Sequence, residues 1–139
     1  MSVDANCLFC TIITGQIPSQ RIDEDDRTVT FMDINPGSTG HALIVPKQHT
    51  RDLLAIGQDD LTACAVTAQR ITRRAVQALG AEGVNLINCC GSVAWQTVFH
   101  FHLHMVPRYS DDGFHLPWVS TPGDPAAIAA AANKLCVCV

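Results

Sequence analysis

The chain is poor in charge and in aromatic rings: of 139 residues, 16% are Asp, Glu, Lys or Arg and 6% are Phe, Trp or Tyr. It has no apolar run near the ~20 residues that a membrane-spanning helix needs, so a membrane is not expected as a partner. Its nine lysines and arginines are scattered and the formal net charge is -4. No basic stripe is therefore available to displace counterions from a nucleic acid, and the expected partner is a small molecule. The opening stretch MSVDANC lacks a basic block followed by an apolar one, which leaves no secretory signal in view and points to the cytoplasm. Disulfides are not expected either. Seven cysteines are an odd number, and Cys89 and Cys90 are adjacent, which suits a reducing compartment.

What is present is a hydrophobic fraction of 47% in a length that fits one domain, residues 1–139. Residues 7–14 read as a short helix stopped by Gly15, with Pro18 beyond it. Strands are expected over 20–24 and 28–34, joined by a hairpin at Asp25-Asp26, and over 41–45. Asp59 or Asp60 can cap a long helix in which Leu61, Cys64, Ala65, Ala68, Ile71, Ala75, Val76 and Leu79 recur at spacings of three and four, with Gly80 as its stop. A fourth strand is expected over 83–88, a fifth over 96–106, and an alanine-rich helix over 125–135. The total is an α+β fold with an antiparallel five-stranded sheet.

The densest chemistry lies in Val98-Phe99-His100-Phe101-His102-Leu103-His104-Met105. As a strand it has one oily face and one lined with imidazole. A single strand histidine is usually a surface or satisfied core residue; three in strict alternation ask for more. One metal held by all three is disfavoured, because residues four apart in a strand are separated by ~13 Å and zinc–nitrogen bonds are only ~2 Å. At most a neighbouring pair converges. Cys7-Leu8-Phe9-Cys10 has the C-x-x-C spacing of a zinc clamp, with His49 and His100 as candidates for two further ligands. A redox pair or two ordinary buried thiols fit the same spacing. A closed site of two thiolates and two imidazoles would be structural and would take His100 out of catalysis. His102 and His104 then remain on one face. A neutral imidazole near its unperturbed pKa of ~6.5 is a good nucleophile toward phosphorus, and the phosphoramidate it forms is labile to water.

The run His100-Phe101-His102-Leu103-His104-Met105-Val106 resembles the H-φ-H-φ-H-φ-φ signature of the histidine triad proteins. The resemblance extends over nearly the whole chain, through Cys7 and Cys10 with Ile12, Phe31 to Pro36, Gly40-His41, Pro46 to His49, Asn88, Gln96-Thr97-Val98 and Pro107-Arg108. That ordered set is far more specific than the triad alone. It implies a homodimer whose two sheets join into a larger one. It implies a nucleotide hydrolase or transferase acting at an α-phosphate through a nucleotidyl-histidine, releasing a nucleoside monophosphate from nucleoside phosphoramidates. A dinucleoside polyphosphate is the alternative substrate, and the nucleotide would be a purine of the AMP or GMP type.

Residue by residue, the resemblance implies His102 as nucleophile, His104 on the phosphate oxygens, and Gln96 and Thr97 beside the phosphate and leaving group. Asp33 would take the ribose hydroxyls, Ile34, Phe9 and Ile12 would sandwich the base, and Asn88 would line the phosphate end. Structural zinc would be held by Cys7, Cys10, His49 and His100. Backbone amides near Gln96 would help stabilise the phosphoryl charge, and no acidic cluster near the triad calls for magnesium. Some of these roles have physical support of their own. A carboxylate can accept both vicinal hydroxyls of a ribose, and apolar side chains suit a flat base, although Asp33 is also a good turn initiator and the apolar three are also good core residues.

One departure stands out. The family usually has glycine where this chain has Trp95. Glycine permits positive φ and a close backbone approach to an anion, so the indole is expected either to move the loop or to cover the phosphate site. Two rivals of other classes follow: a zinc-stabilised nucleotide-binding module that has lost activity, and a thiol redox protein using Cys7 and Cys10. His41 reads as a loop anchor and His115 as a surface residue. The Cys136-Val137-Cys138-Val139 tail receives no role.

Overall fold

A computed structural model describes residues 2–136; residues 1 and 137–139, and with them most of the C-terminal tail, lie outside that range. The elements run α1 (Leu8–Ile13), β1 (Arg21–Glu24), β2 (Thr28–Met32), β3 (Ala42–Pro46), α2 (Gln58–Leu79), β4 (Gly83–Ile87), a 3₁₀ turn (Ser92–Ala94), β5 (Leu103–Arg108) and α3 (Pro125–Leu135). The five strands form one sheet in the order β1-β2-β3-β5-β4, every neighbour antiparallel. Among the described residues no helix is long and apolar enough to cross a membrane.

Strand alternation divides the core in two. On one face Ala42, Ile44, Phe101 and Met105 pack against Cys64, Ala68, Ile71 and Ala75 of α2. The opposite face carries Val29, Phe31, Leu43 and Val45 under Cys7, Phe9, Cys10 and Ile12 of the α1 segment. His104 pairs across the sheet with Leu43 and Ile87, so it shares the face of α1. The small helix, not the long one, roofs the imidazoles.

α2 starts earlier than expected. Gly57 is its N-cap, and Asp59 and Asp60 lie in the first turn, where their charge favours the positive end of the helix. Gly80 ends it in the left-handed conformation, φ 67°, as a glycine stop does. The Asp25 turn is a hairpin whose carboxylate accepts from the amides of Arg27 (2.9 Å) and Thr28 (2.7 Å). Its other oxygen receives the Thr67 hydroxyl at 3.3 Å and Arg70 at 3.2 Å, tying the hairpin to α2.

The fifth strand departs most from expectation, starting at Leu103 rather than residue 96 and running on to Arg108 through Pro107. Residues 96–102 alternate like a strand but have no strand beside them. Phe101 N–H donates to Thr50 O at 2.7 Å, and the His102 carbonyl accepts from the Asn88 side chain at 3.0 Å. Phe99, expected on the oily face, is 44% exposed.

Burial pushes the Asp25 carboxyl up, but the Arg27 and Thr28 amides outweigh it and hold the group down to about 2. Stability from this carboxylate is present above its ordinary pKa of ~3.9 and lost as pH falls through the native value. Asp25→Ala is expected to cost about 1–2 kcal/mol in urea unfolding at pH 7, and the gap from wild type should close as the pH drops toward 2.

Candidate functional site

The three histidines of the run serve three different neighbourhoods. His100 is fully buried, His102 is 5% exposed, and His104 is partly buried. What separates them is the partner of each ring's second nitrogen, since a carbonyl facing one nitrogen puts the proton there and leaves the other bare.

His100 donates from Nε2 to the Pro46 carbonyl at 2.8 Å. Its bare Nδ1 then faces Cys7 Sγ at 3.5 Å and Cys10 Sγ at 3.6 Å, while His49 Nδ1 lies 3.4 Å from Cys10 Sγ. All four ligand atoms lie within 4.8 Å of one another. In a tetrahedral zinc site with Zn–S of ~2.3 Å and Zn–N of ~2.0–2.1 Å, each sulfur–nitrogen edge comes to ~3.6 Å. The measured edges fit. Cys7 is also the N-cap of α1, its sulfur accepting from Cys10 N–H, so the C-x-x-C spacing here is one turn of helix start. Cys7, Cys10, Cys64, Cys89 and Cys90 are free thiols.

His102 donates from Nδ1 to the His100 carbonyl at 2.7 Å, which leaves Nε2 bare. Its ring lies edge-on to Phe9, centroids 5.0 Å apart. Burial depresses its pKa and so favours the neutral ring. His102 and His104 line a cavity of about 340 Å³, within the range of small-ligand sites. Its lining includes the apolar side chains of Phe9, Ile12, Phe31 and Ile34 and the polar ones of Asp33, Thr97, His102 and His104. Ile34 is 91% exposed, an aliphatic side chain free to close on a flat ligand.

Of two residues expected at the phosphate, Gln96 has both ends of its amide engaged with backbone, whereas Asn88 is engaged through Nδ2 alone and its buried Oδ1 has no partner among the described residues. Gln96 is buried, its Oε1 accepting from Gly91 N–H and its Nε2 donating to the Arg51 and Val98 carbonyls. Neither Gln96 nor Asn88 lines the cavity. Asn88 instead holds the His102 backbone. Among the amides near Gln96, Ala94 and Gln96 N–H donate to Gly91 O and Trp95 N–H to Ser92 O, whereas the N–H of Thr97, which lines the cavity, is not taken up by this turn. A tight turn consumes its own donors. These residues brace the cavity wall from behind.

Trp95 does not cover the cavity. It takes up the left-handed conformation itself, φ 72° and ψ 16°, the one non-glycine residue with positive φ among those described. Its indole turns outward, 66% exposed, and is not part of the cavity lining.

His41 is the residue that sequence reasoning undervalued. It is 8% exposed, and its Nε2 lies 2.9 Å from His104 Nδ1 and 3.5 Å from Asp33 Oδ2. The sequence signal was a histidine opening a strand whose neighbour carries the triad, but the sequence separation of 63 between His41 and His104 conceals the pairing. Burial lowers the pKa of both rings, that of His104 to about 4 with help from His102 and His41. His115 lies exposed at the surface.

The HIT domain profile matches residues 14–111. The adenosine 5'-monophosphoramidase of Schizosaccharomyces pombe is 30% identical over 131 residues, covering 94% of this chain and 96% of that protein. A crystal structure from Streptococcus mutans superposes with a TM-score of 0.89 at 36% identity, over 95% of this chain and 84% of that one. A Zn-bound histidine triad family protein from Mycobacterium smegmatis has a TM-score of 0.75 at 37% identity, over 93% of this chain and 97% of that one. The chain belongs to the histidine triad (HIT) family.

A non-glycine residue in the left-handed region costs ~1–2 kcal/mol, against which glycine loses ~0.5–1 kcal/mol of unfolded-chain entropy. The exposed indole has little packing to lose. Trp95→Gly is therefore expected to stabilise the protein by about 0.5–1 kcal/mol in chemical denaturation.

Proposed function

We propose that the protein is a nucleotide hydrolase that cleaves nucleoside phosphoramidates at the α-phosphate through a nucleotidyl-His102 intermediate. One observation carries the reading. The Nδ1–H bond from His102 to the His100 carbonyl leaves an unprotonated Nε2 on a ring that lines the cavity. The relative named adenosine 5'-monophosphoramidase supports the substrate class.

In the first step His102 Nε2 forms a bond to phosphorus as the bond from phosphorus to the substrate nitrogen breaks; the amine departs with a proton from water. In the second, a water oxygen forms the new bond to phosphorus, the His102–phosphorus bond breaks, and a nucleoside monophosphate leaves. His104 bonds the phosphoryl oxygens, with Thr97 beside the leaving group. Asp33 accepts the ribose hydroxyls, and Phe9, Ile12 and Ile34 hold a purine base. Gln96 and Asn88 act by holding the backbone of this wall. The outward turn of Trp95 leaves the cavity open, which favours an active enzyme over a binding module that has lost turnover.

Structural zinc would be held by Cys7, Cys10, His49 and His100, which the edge lengths and the Zn-bound relative support. With four protein donors it would pin the start of α1 and would supply no activated water. We read residues 1–139 as one domain that works as a homodimer. β4 is an edge strand with Leu86 51% exposed, and α3 buries no residue within the chain; both features support a second copy. Free thiols suit a cytoplasmic setting.

His102→Asn is expected to lower turnover of adenosine 5'-phosphoramidate by at least about a thousandfold while AMP binding, read by calorimetry, stays within a few-fold. Retained turnover would end the proposal. Purified protein is expected to carry about one zinc per chain by elemental analysis. Stripping it should lower Tm by roughly 10 °C, at ~3 °C per kcal/mol for a chain of this size. Protein purified without zinc and unmoved by added zinc would refute the metal assignment.

A further inference from the structure

Two cavities meet at Thr97. Beyond the one that His102 lines is a second of about 580 Å³, walled by Asp4, Cys7, His49 and Arg51. Leu8, Thr97 and Val98 line both, whereas His102 lines only the first. An in-line displacement sends the leaving group away from the attacking atom. In the reading above, with Thr97 beside the leaving group, a group expelled by His102 departs past Thr97, and the second cavity is the space that receives it.

Arg51 is the cation of that space. Gln96 Nε2 donates to the carbonyls of both Arg51 (2.9 Å) and Val98 (3.1 Å), and Phe101 N–H donates to Thr50 O at 2.7 Å. These bonds staple the backbone of Arg51 to the ridge between the cavities. Its guanidinium is anchored at one point only. Nε donates to Asp52 Oδ2 at 2.7 Å, while Asp52 Oδ1 takes the Leu54 and Ala55 amides. Nη1 and Nη2 have no hydrogen-bond partner among the described residues, and the side chain is 63% exposed. A guanidinium held by Nε presents its terminal nitrogens as a fork for a carboxylate or a phosphate. The carboxylate on the same lining, Asp4, is engaged by its own loop, where Oδ1 accepts from Asn6 N–H at 2.9 Å.

We propose that the second cavity is a leaving-group subsite and that Arg51 makes it selective for a leaving group with negative charge, either an amine that carries a carboxylate or a polyphosphate. This rests on the nucleotide reading above and adds to it the class of group expelled. With the amine, the His102–phosphorus bond forms as the phosphorus–nitrogen bond breaks, and the nitrogen leaves with a proton from water while its carboxylate stays on Arg51. With a polyphosphate, a phosphorus–oxygen bond breaks and the oxygen leaves as an anion.

Two adenosine 5'-phosphoramidates of equal size test the subsite, one N-linked to β-alanine and one to the neutral β-alaninamide. Wild type is expected to favour the carboxylate by about fivefold or more in kcat/KM at low ionic strength. The ratio should fall toward one in about 1 M KCl, as screening shortens to ~3 Å. Arg51→Gln should bring it to about one at low salt, and Arg51→Lys, a point charge without the fork, should keep part of it. Diadenosine tetraphosphate, whose leaving group is ATP, is assayed in the same variants, and the anionic substrate that loses more on Arg51→Gln identifies the anion that the subsite takes. Loss on neither would overturn the proposal, as would a wild-type preference for the cationic adduct of ethylenediamine. Calorimetry on His102→Asn, with and without Arg51→Gln, gives the same ratio from the dissociation constants of the intact phosphoramidates. If wild type hydrolyses none of these substrates, the enzymatic reading falls and those constants decide the subsite. If it hydrolyses all of them alike whatever stands at position 51, the enzyme stands and the subsite falls.

Discussion

The chemistry of this protein depends on what lies behind each imidazole. Neutral histidine has one proton and two nitrogens, so the group at the back of the ring decides what the front can do. The Pro46 carbonyl leaves His100 Nδ1 bare toward the thiols, the His100 carbonyl leaves His102 Nε2 bare, and the Gly37 amide puts the proton of His41 on Nε2. Two carbonyls and one amide thus give like side chains unlike faces. Burial lowers the pKa of all three rings and keeps the single proton from becoming two.

The backbone that supplies these partners is held by the sheet and by a few side-chain amides. Pro46 closes β3, and the His100 carbonyl belongs to the stretch where the chain leaves the sheet before β5 begins. That stretch has no strand beside it, so Gln96, Asn88 and Thr50 provide the hydrogen bonds that a strand would have given. A regular strand would have turned the three rings to one face at even spacing. The irregular stretch lets His100 swing to the thiols while His102 stays at the cavity.

Much of this was legible beforehand, for identifiable reasons. α2 announces itself by its apolar period and glycine stop, and the Asp25 hairpin by its turn residues, because both signals are local. Cys7, Cys10, His49 and His100 were readable as a set because a C-x-x-C pair asks for two further ligands and the family resemblance supplies them, and the structure gathers their donor atoms. The start of β5 was not legible, since alternation records side-chain direction and says nothing of whether a neighbouring strand exists. Gln96 and Asn88 look like phosphate contacts in sequence, and only the fold reveals that their amides face backbone. His41 was missed because its meaning lies in a backbone amide four residues back and a ring 63 residues ahead.

Phe9 sits between Cys7 and Cys10 on the opening turn of α1, and it touches His102 while its neighbours reach toward His100 and His49. One turn of helix is therefore both the anchor of the thiol cluster and a wall of the cavity. A ligand lodged against the phenyl ring and an ion among the thiols would share that turn as their common support, and linkage would make whatever influence passes through it equal in both directions.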